Sequence, residues 1–185
     1  MKSEILEWIK CIVISVGIAF AITSFINTTE VYSVSMNPTL VEHDRLVILN
    51  NNKNIKHGDI IVFKTDLEFN EGELKSLNII QRLTSGSTKK LIKRVIGLEG
   101  DKITIKNGKV YVNDKELDEN YIKEYGTIGD VEIDKIPKGK VFVMGDNRNN
   151  SIDSRSEEIG LVDYDKIVGK VIYRIYPFSK VGKLN

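Results

Sequence analysis

The stretch CIVISVGIAFAITSFINTT, residues 11–29, holds no charged residue in a chain whose composition is 29% charged. As a helix, its 19 residues would reach roughly 28 Å at about 1.5 Å per residue, close to the hydrocarbon thickness of a bilayer. Everything after Glu30 is rich in charge, and no later uncharged run approaches that length. A secretory signal peptide competes with a membrane anchor here, because Ala19-Phe20-Ala21 offers small residues around a variable one. Apolar character continues through Ile22, Phe25 and Ile26, and Lys2 and Lys10 are offset by Glu4 and Glu7; both features favour an uncleaved anchor. Lys2 and Lys10 lie on the amino side and the first basic residue beyond the run is Arg45, so the amino end is expected in the cytoplasm. Residues 1–29 are therefore expected to form the amino end and a single transmembrane helix. Residues 30–185 are expected to form an extracytoplasmic domain of about 155 residues, an ordinary domain size.

Beyond Glu30 the pattern changes to short β-branched and alternating runs. Leu46-Val47-Ile48-Leu49, Ile60-Ile61-Val62-Phe63, residues 91–96, Ile103-Thr104-Ile105, Val110-Tyr111-Val112, Val141-Phe142-Val143-Met144 and residues 168–173 read as strands. Turn residues separate them, and Asn107-Gly108 between two alternating runs predicts a two-residue hairpin. The fold class is thus mostly β, an antiparallel sheet domain after one helix. Nothing resembles a βαβ repeat, which argues against a doubly wound nucleotide-binding fold. Two polar stretches, residues 64–90 and 113–134, read as solvated surface excursions.

Composition narrows the function further. With 27 basic and 26 acidic residues, no basic surplus suggests nucleic acid as a partner. One cysteine excludes an internal disulfide framework and a multi-cysteine zinc site. His43 and His57 are the two histidines, which leaves little for a histidine-rich metal centre. No metal and no cofactor is expected.

Four segments could carry chemistry. Ser33-Val34-Ser35-Met36-Asn37-Pro38-Thr39-Leu40 could expose a serine at a turn, although Asn-Pro alone is ordinarily just a turn. In Leu91-Ile92-Lys93-Arg94-Val95-Ile96-Gly97, strand geometry places Leu91, Lys93 and Val95 on one face and Ile92, Arg94 and Ile96 on the other. Burial of the first face would desolvate the Lys93 amine and lower its pKa, whereas an edge position would let it reach water. Residues 145–155, GDNRNNSIDSR, form a dense polar loop in which Asp153 and Arg155 could pair. Arg148 and Ser151 break the ligand pattern of a calcium loop counted from Asp146. His57-Gly58-Asp59-Ile60-Ile61-Val62 reads as a turn entering a strand. Ser87-Thr88-Lys89-Lys90 matches S-x-x-K without the motifs that accompany it in penicillin-recognising enzymes, and reads as a solvated loop.

Taken in order, an apolar helix, then S-M-x-P-T-L, G-D-I-I-V, K-R-V-I-G-x-x-G-D and G-D-N-R-N-N-S-x-D-S-R resemble the type I signal peptidases, membrane-anchored bacterial Ser-Lys proteases. The short chain and single anchor resemble the Gram-positive form, and lysine rather than histidine at 93 points to the bacterial and organellar kind. Glu99 departs from the family's usual proline.

The resemblance implies that signal peptides are cut from secreted preproteins after small residues, A-x-A. It implies Ser35 as nucleophile and Lys93 as general base, 58 positions apart, with Ser33 and the Ser35 N–H as oxyanion donors. Ser151 is expected to hydrogen-bond the lysine amine, and Asp153 with Arg155 and Arg94 with Asp146 to form supporting ion pairs. Val31, Tyr32, Met36, Leu40 and Ile92 are expected to shape shallow apolar pockets for the substrate. Membrane lipid is an expected second partner, touched near residues 31–40. A self-cleaving Ser-Lys regulator and a catalytically silent, membrane-tethered β module are the competing readings.

Overall fold

The computed structural model describes residues 2–50, 54–69, 72, 88–123 and 126–184. An α-helix, α1 (Lys2–Phe25), leads without a linker into β1 (Ile26–Glu30). β2 (Arg45–Leu49), β3 (Ile60–Glu68) and β4 (Thr88–Gly97) follow. Then come β5 (Ile103–Lys106), β6 (Lys109–Val112), β7 (Lys115–Glu116), β8 (Val131–Ile133) and β9 (Lys140–Met144). β10 (Val162–Asp163), β11 (Ile167–Tyr176) and β12 (Gly182–Lys183) close the chain.

Eight strands form one antiparallel sheet in the order β1-β2-β11-β3-β4-β9-β10, with β12 paired to β11. Four short strands form a second sheet, β7-β6-β5-β8. Asn107-Gly108 joins β5 to β6 in a tight hairpin, Lys106 facing Lys109. Both turn residues have positive φ, 52° and 78°, the backbone that a two-residue primed turn requires.

The helix ends earlier than the uncharged run. Ile26 to Thr29, placed in the helix by the absence of charge, pair instead with Leu49 to Leu46 of β2. Asn27, Thr28 and Thr29 suit a strand better than a helix interior, and β2 offers them an antiparallel partner. The charge-free part of α1, residues 11–25, therefore spans about 22 Å. Lys2, Glu4, Glu7 and Lys10 occupy its other end. Among the described residues, no helix is long and apolar enough to cross a membrane. The large apolar side chains of α1 among the described residues are exposed: Trp8 is 72% exposed and Val13 64%.

Three apolar clusters hold the sheets. Val31, Met36 and Leu40 pack with Leu46, Ile48, Ile60, Val62 and Val171. Ile61, Phe63, Val95 and Val143 anchor a second cluster. Ile96, Ile103, Val110 and Phe142 join the two sheets in a third. Of the excursion at 64–90, Lys64 to Glu68 and Thr88 to Lys90 extend β3 and β4, paired at Lys64–Lys90 and Glu68–Thr88. Ser87 of the S-x-x-K match, like most of that stretch, lies outside the described residues.

Candidate active site

Ser35 occupies the middle of a one-turn 3-10 helix, Val34–Met36. Ser33 precedes it in an extended conformation, and its Oγ accepts a long hydrogen bond from the Ser35 N–H at 3.4 Å. This is the N-cap chemistry expected of serine. The two hydroxyl oxygens are 3.0 Å apart. Met36 and Leu40 root the turn in the first core cluster, so the loop is held by packing on one side and presents Ser35 on the other.

Lys93 lies on β4 opposite Ile61 of β3, between Leu91 and Val95 of the second cluster. It is 2% exposed, and its Nζ is 2.6 Å from Ser35 Oγ. The fold thus closes a 58-residue separation into one hydrogen bond. Burial removes water from the amine and lowers its pKa from 10.5 to about 8, with Asp153 and Asp146 acting at a distance in the opposite sense. No carboxylate is bonded to the amine among the described residues, and desolvation without a bonded counter-charge favours the neutral form.

A polar layer lies behind this pair. Arg94 Nε and Nη2 donate to Asp146 Oδ1 and Oδ2 at 2.9 and 2.7 Å. Arg94 Nη1 donates to the Gly58 carbonyl at 2.8 Å, and its guanidinium stacks 4.1 Å from the centre of the Tyr121 ring. Burial opposes the Arg94 charge, but the bonds and charge of Asp146 outweigh it and its pKa rises. Asp153 is fully buried and accepts from Arg155 Nε at 2.8 Å, from Arg155 Nη2 at 2.9 Å and from the Gly145 N–H at 2.9 Å. Burial works to raise the Asp153 pKa, and the Arg155 and Gly145 contacts overcome it, so the carboxyl is held below its usual range.

The loop after β9 is threaded under Ser35. At Gly145 an added Cβ would lie 2.5 Å from the Ser35 carbonyl oxygen and 2.3 Å from Ser151 Oγ, so only glycine lets the two backbones approach this closely. Ser151 makes no hydrogen bond to Lys93; its buried Oγ lies against Gly145 and on the side of the Asp153 carboxyl, which it helps hold below its usual range. Gly145 separates it from the Ser35 backbone.

Val31, Met36 and Leu40 are at most 3% exposed and belong to the core. Ile92 is half-buried against the same cluster, and Tyr32 is open to solvent.

Several contacts were not legible beforehand. Arg148, fully buried, donates to the Gly145 carbonyl at 2.9 Å and to Thr127 Oγ1 at 3.0 Å, and forms an ion pair with Glu119. Glu119, Tyr121 and Thr127 come from the stretch at 113–134, so this part is not a merely solvated excursion: it supports the loop that supports Ser35. Their aromatic and acidic character inside a polar run was the available signal. Asp44 and Arg174 pair at 3.2 Å against the loop that follows the Ser35 turn: Asp44 accepts from the Val41 N–H at 3.1 Å and Arg174 donates to the Thr39 carbonyl. Glu99, in place of the usual proline, accepts from the Gly139 N–H at 3.0 Å. Among the described residues no group of three or more His, Cys, Asp or Glu is placed to hold a metal ion.

This geometry can be set beside known proteins. Signal peptidase IB of Staphylococcus aureus (strain COL) is 37% identical, with 97% of this chain and 94% of that protein aligned. Signal peptidase I P of Bacillus subtilis subsp. natto is 39% identical, with 98% and 94% aligned. A crystal structure of a signal peptidase I from Enterococcus faecalis V583 matches at 25% identity with a TM-score of 0.45, over 64% of this chain and 97% of that one. A family model described as signal peptidase, peptidase S26, matches residues 5–176. Matched by this family model over most of its length and 37% and 39% identical to two such peptidases along nearly the whole chain, the protein belongs to the signal peptidase, peptidase S26, family.

Proposed function

We propose that this protein is a serine endopeptidase that removes signal peptides from secreted preproteins, with Ser35 as nucleophile and Lys93 as general base. The observation that supports it best is the 2.6 Å approach of Lys93 Nζ to Ser35 Oγ, at an amine whose pKa burial lowers to about 8. Neutral Lys93 takes the Ser35 hydroxyl proton as Oγ bonds to the scissile carbonyl carbon. The carbonyl becomes an oxyanion, which the Ser35 N–H and the Ser33 hydroxyl stabilise once substrate displaces their mutual contact. Losing one such donor costs about 3 to 4 kcal/mol in the barrier. Lys93 ammonium then gives its proton to the leaving amine, the C–N bond breaks, and an acyl enzyme remains. A water, deprotonated by Lys93, hydrolyses the ester and restores both groups. Histidine is not required.

Arg94–Asp146 and Asp153–Arg155 position the pair and carry no proton. Because Val31, Met36 and Leu40 are packed into the core, the floor near Ser35 is shallow, which suits small substrate side chains as in A-x-A. Ile92 and Tyr32 are left to line its rim.

α1 serves as a single-pass anchor, amino end in the cytoplasm, with the catalytic domain on the outer face of the membrane. Its exposed apolar side chains support this. The 22 Å charge-free length falls short of a bilayer core by about 8 Å, a mismatch that local thinning accommodates at modest cost. Trp8 is the single tryptophan; brominated lipid should quench its fluorescence, and unquenched emission would contradict the anchor.

The experiment is cleavage of a preprotein in detergent by wild type, Ser35→Ala and Lys93→Ala. Wild type should cut after a small residue, and each variant should fold and lose cleavage by at least about 10²-fold. A catalytically silent module would leave the preprotein intact in all three.

A further inference from the structure

Asn147 is fully buried, 1% exposed, in the loop after β9, next to Asp146. Its backbone N–H donates to the Ser35 carbonyl at 3.0 Å. Its side-chain Nδ2 donates to the Val34 carbonyl, also at 3.0 Å. One residue therefore grips the two peptide groups on either side of the Ser35 α-carbon, across 112 positions of sequence. The Val34 carbonyl also accepts from the Asn37 N–H at 3.1 Å, the bond that closes the 3-10 turn. The Asn147 Oδ1 has no hydrogen-bond partner among the described residues. A buried acceptor left unpaired is unfavourable, so folding alone gives no reason for an amide here; an amide is explained by what its nitrogen holds. Gly145, two residues earlier, is pressed against the same Ser35 carbonyl.

From these contacts we infer that Asn147 is a positioning residue that fixes the peptide planes around Ser35, and with them the direction of Oγ toward Lys93 and of the Ser35 N–H toward the developing oxyanion. The inference rests on the Ser35–Lys93 reading above. Peptide planes at both ends of one residue set its φ and ψ, and hence its Cβ direction. A displacement of about 1 Å at reacting atoms can cost about 10²-fold in rate. Asn147 touches no reacting atom, so its removal alters chemistry and leaves binding of substrate almost untouched.

The test uses the full chain in detergent with a preprotein-derived peptide. Asn147→Ala and the isosteric Asn147→Asp are measured for kcat, KM, affinity for a peptide aldehyde that adds covalently to a serine, and affinity for an uncleavable peptide of the same sequence. Asn147→Asp keeps the volume and the backbone bond but replaces the Nδ2 donor by an acceptor facing the Val34 carbonyl. The expected result is a fall in kcat of roughly 10- to 100-fold, a matching fall in aldehyde affinity, and KM and uncleavable-peptide affinity within about twofold of wild type. A merely structural role would weaken both ligands in parallel with the unfolded fraction. Unchanged kcat in a folded variant, or equal loss of both ligands, overturns the inference. So does failure of both variants to fold, which would assign Asn147 to stability alone. If instead wild type and Ser35→Ala cleave alike, the Ser35–Lys93 reading has failed, whatever Asn147 does.

Discussion

On the two faces of β4, adjacent basic side chains are buried to nearly the same depth, Lys93 at 2% exposure and Arg94 at 4%, yet meet opposite surroundings. Arg94 enters a polar layer with a bidentate carboxylate, a backbone carbonyl and an aromatic ring. Lys93 lies between Leu91 and Val95 with a serine hydroxyl at its tip and, among the described residues, no bonded carboxylate. The first environment favours the charge and the second disfavours it: the Arg94 pKa is raised while that of Lys93 is lowered to about 8. Burial alone therefore does not determine the ionisation of a base; the presence of a bonded carboxylate does. A strand's alternation delivers both environments within two residues, one for a structural cation and one for a proton acceptor.

Asp146→Asn breaks the comparison on the Arg94 side. It leaves a buried guanidinium without its counter-charge, a change that costs about 3 to 5 kcal/mol. Urea denaturation should show a loss of that size, and a loss below 1 kcal/mol would mean that Arg94 is not dependent on Asp146.

Lys93→Met acts with the opposite sign. The folded chain holds the Lys93 proton more weakly than the unfolded chain, whose lysine titrates near 10.5. Between about 8 and 10.5 the unfolded state binds more protons, so the stability of wild type rises with pH across that window. Below it the charged amine costs roughly 3 kcal/mol of folding free energy. Lys93→Met removes this cost, so it should raise the unfolding free energy at pH 7 by up to that amount while abolishing cleavage. The gain should shrink towards pH 10.5. A variant no more stable than wild type at pH 7 would mean that the amine is not desolvated.

Tyr121→Leu sharpens the comparison at its smallest scale. It keeps the apolar contact with Arg94 and deletes the stacked ring, worth about 1 kcal/mol. Thermal unfolding should fall slightly, and cleavage should persist with an altered kcat if the layer behind Asp146 is disturbed.

Much of the fold could be read from the chain. The β-branched runs at 46–49, 60–63, 103–105 and 141–144 all fall in strands, and Asn107-Gly108 closes its hairpin, because strand period and turn chemistry are local. The end of α1 was not legible, since an absence of charge cannot show where Asn27 to Thr29 find a strand partner. Ser35 and Lys93 could be singled out by the order of motifs, and the partners of Arg94 and Asp153 likewise. The Glu119, Tyr121 and Thr127 contacts could not, because they depend on where the second sheet returns the chain. For the same reason the depth to which Val31, Met36 and Leu40 are buried beside Ser35 was not legible, because apolar side chains next to a turn read alike whether they are half or wholly covered. Ser151 lies beneath Gly145 with no bond to Lys93, a matter of one backbone approach that no spacing encodes.

The most direct measurement is an NMR titration of the protein labelled with 13C at the lysine ε-carbon, the Lys93 signal being assigned by its loss in Lys93→Met. The account predicts that Lys93 titrates with a midpoint of about 8, well apart from the exposed lysines. A midpoint at or above 10.5 would contradict it, because the amine beside Ser35 would then be charged when a base is needed.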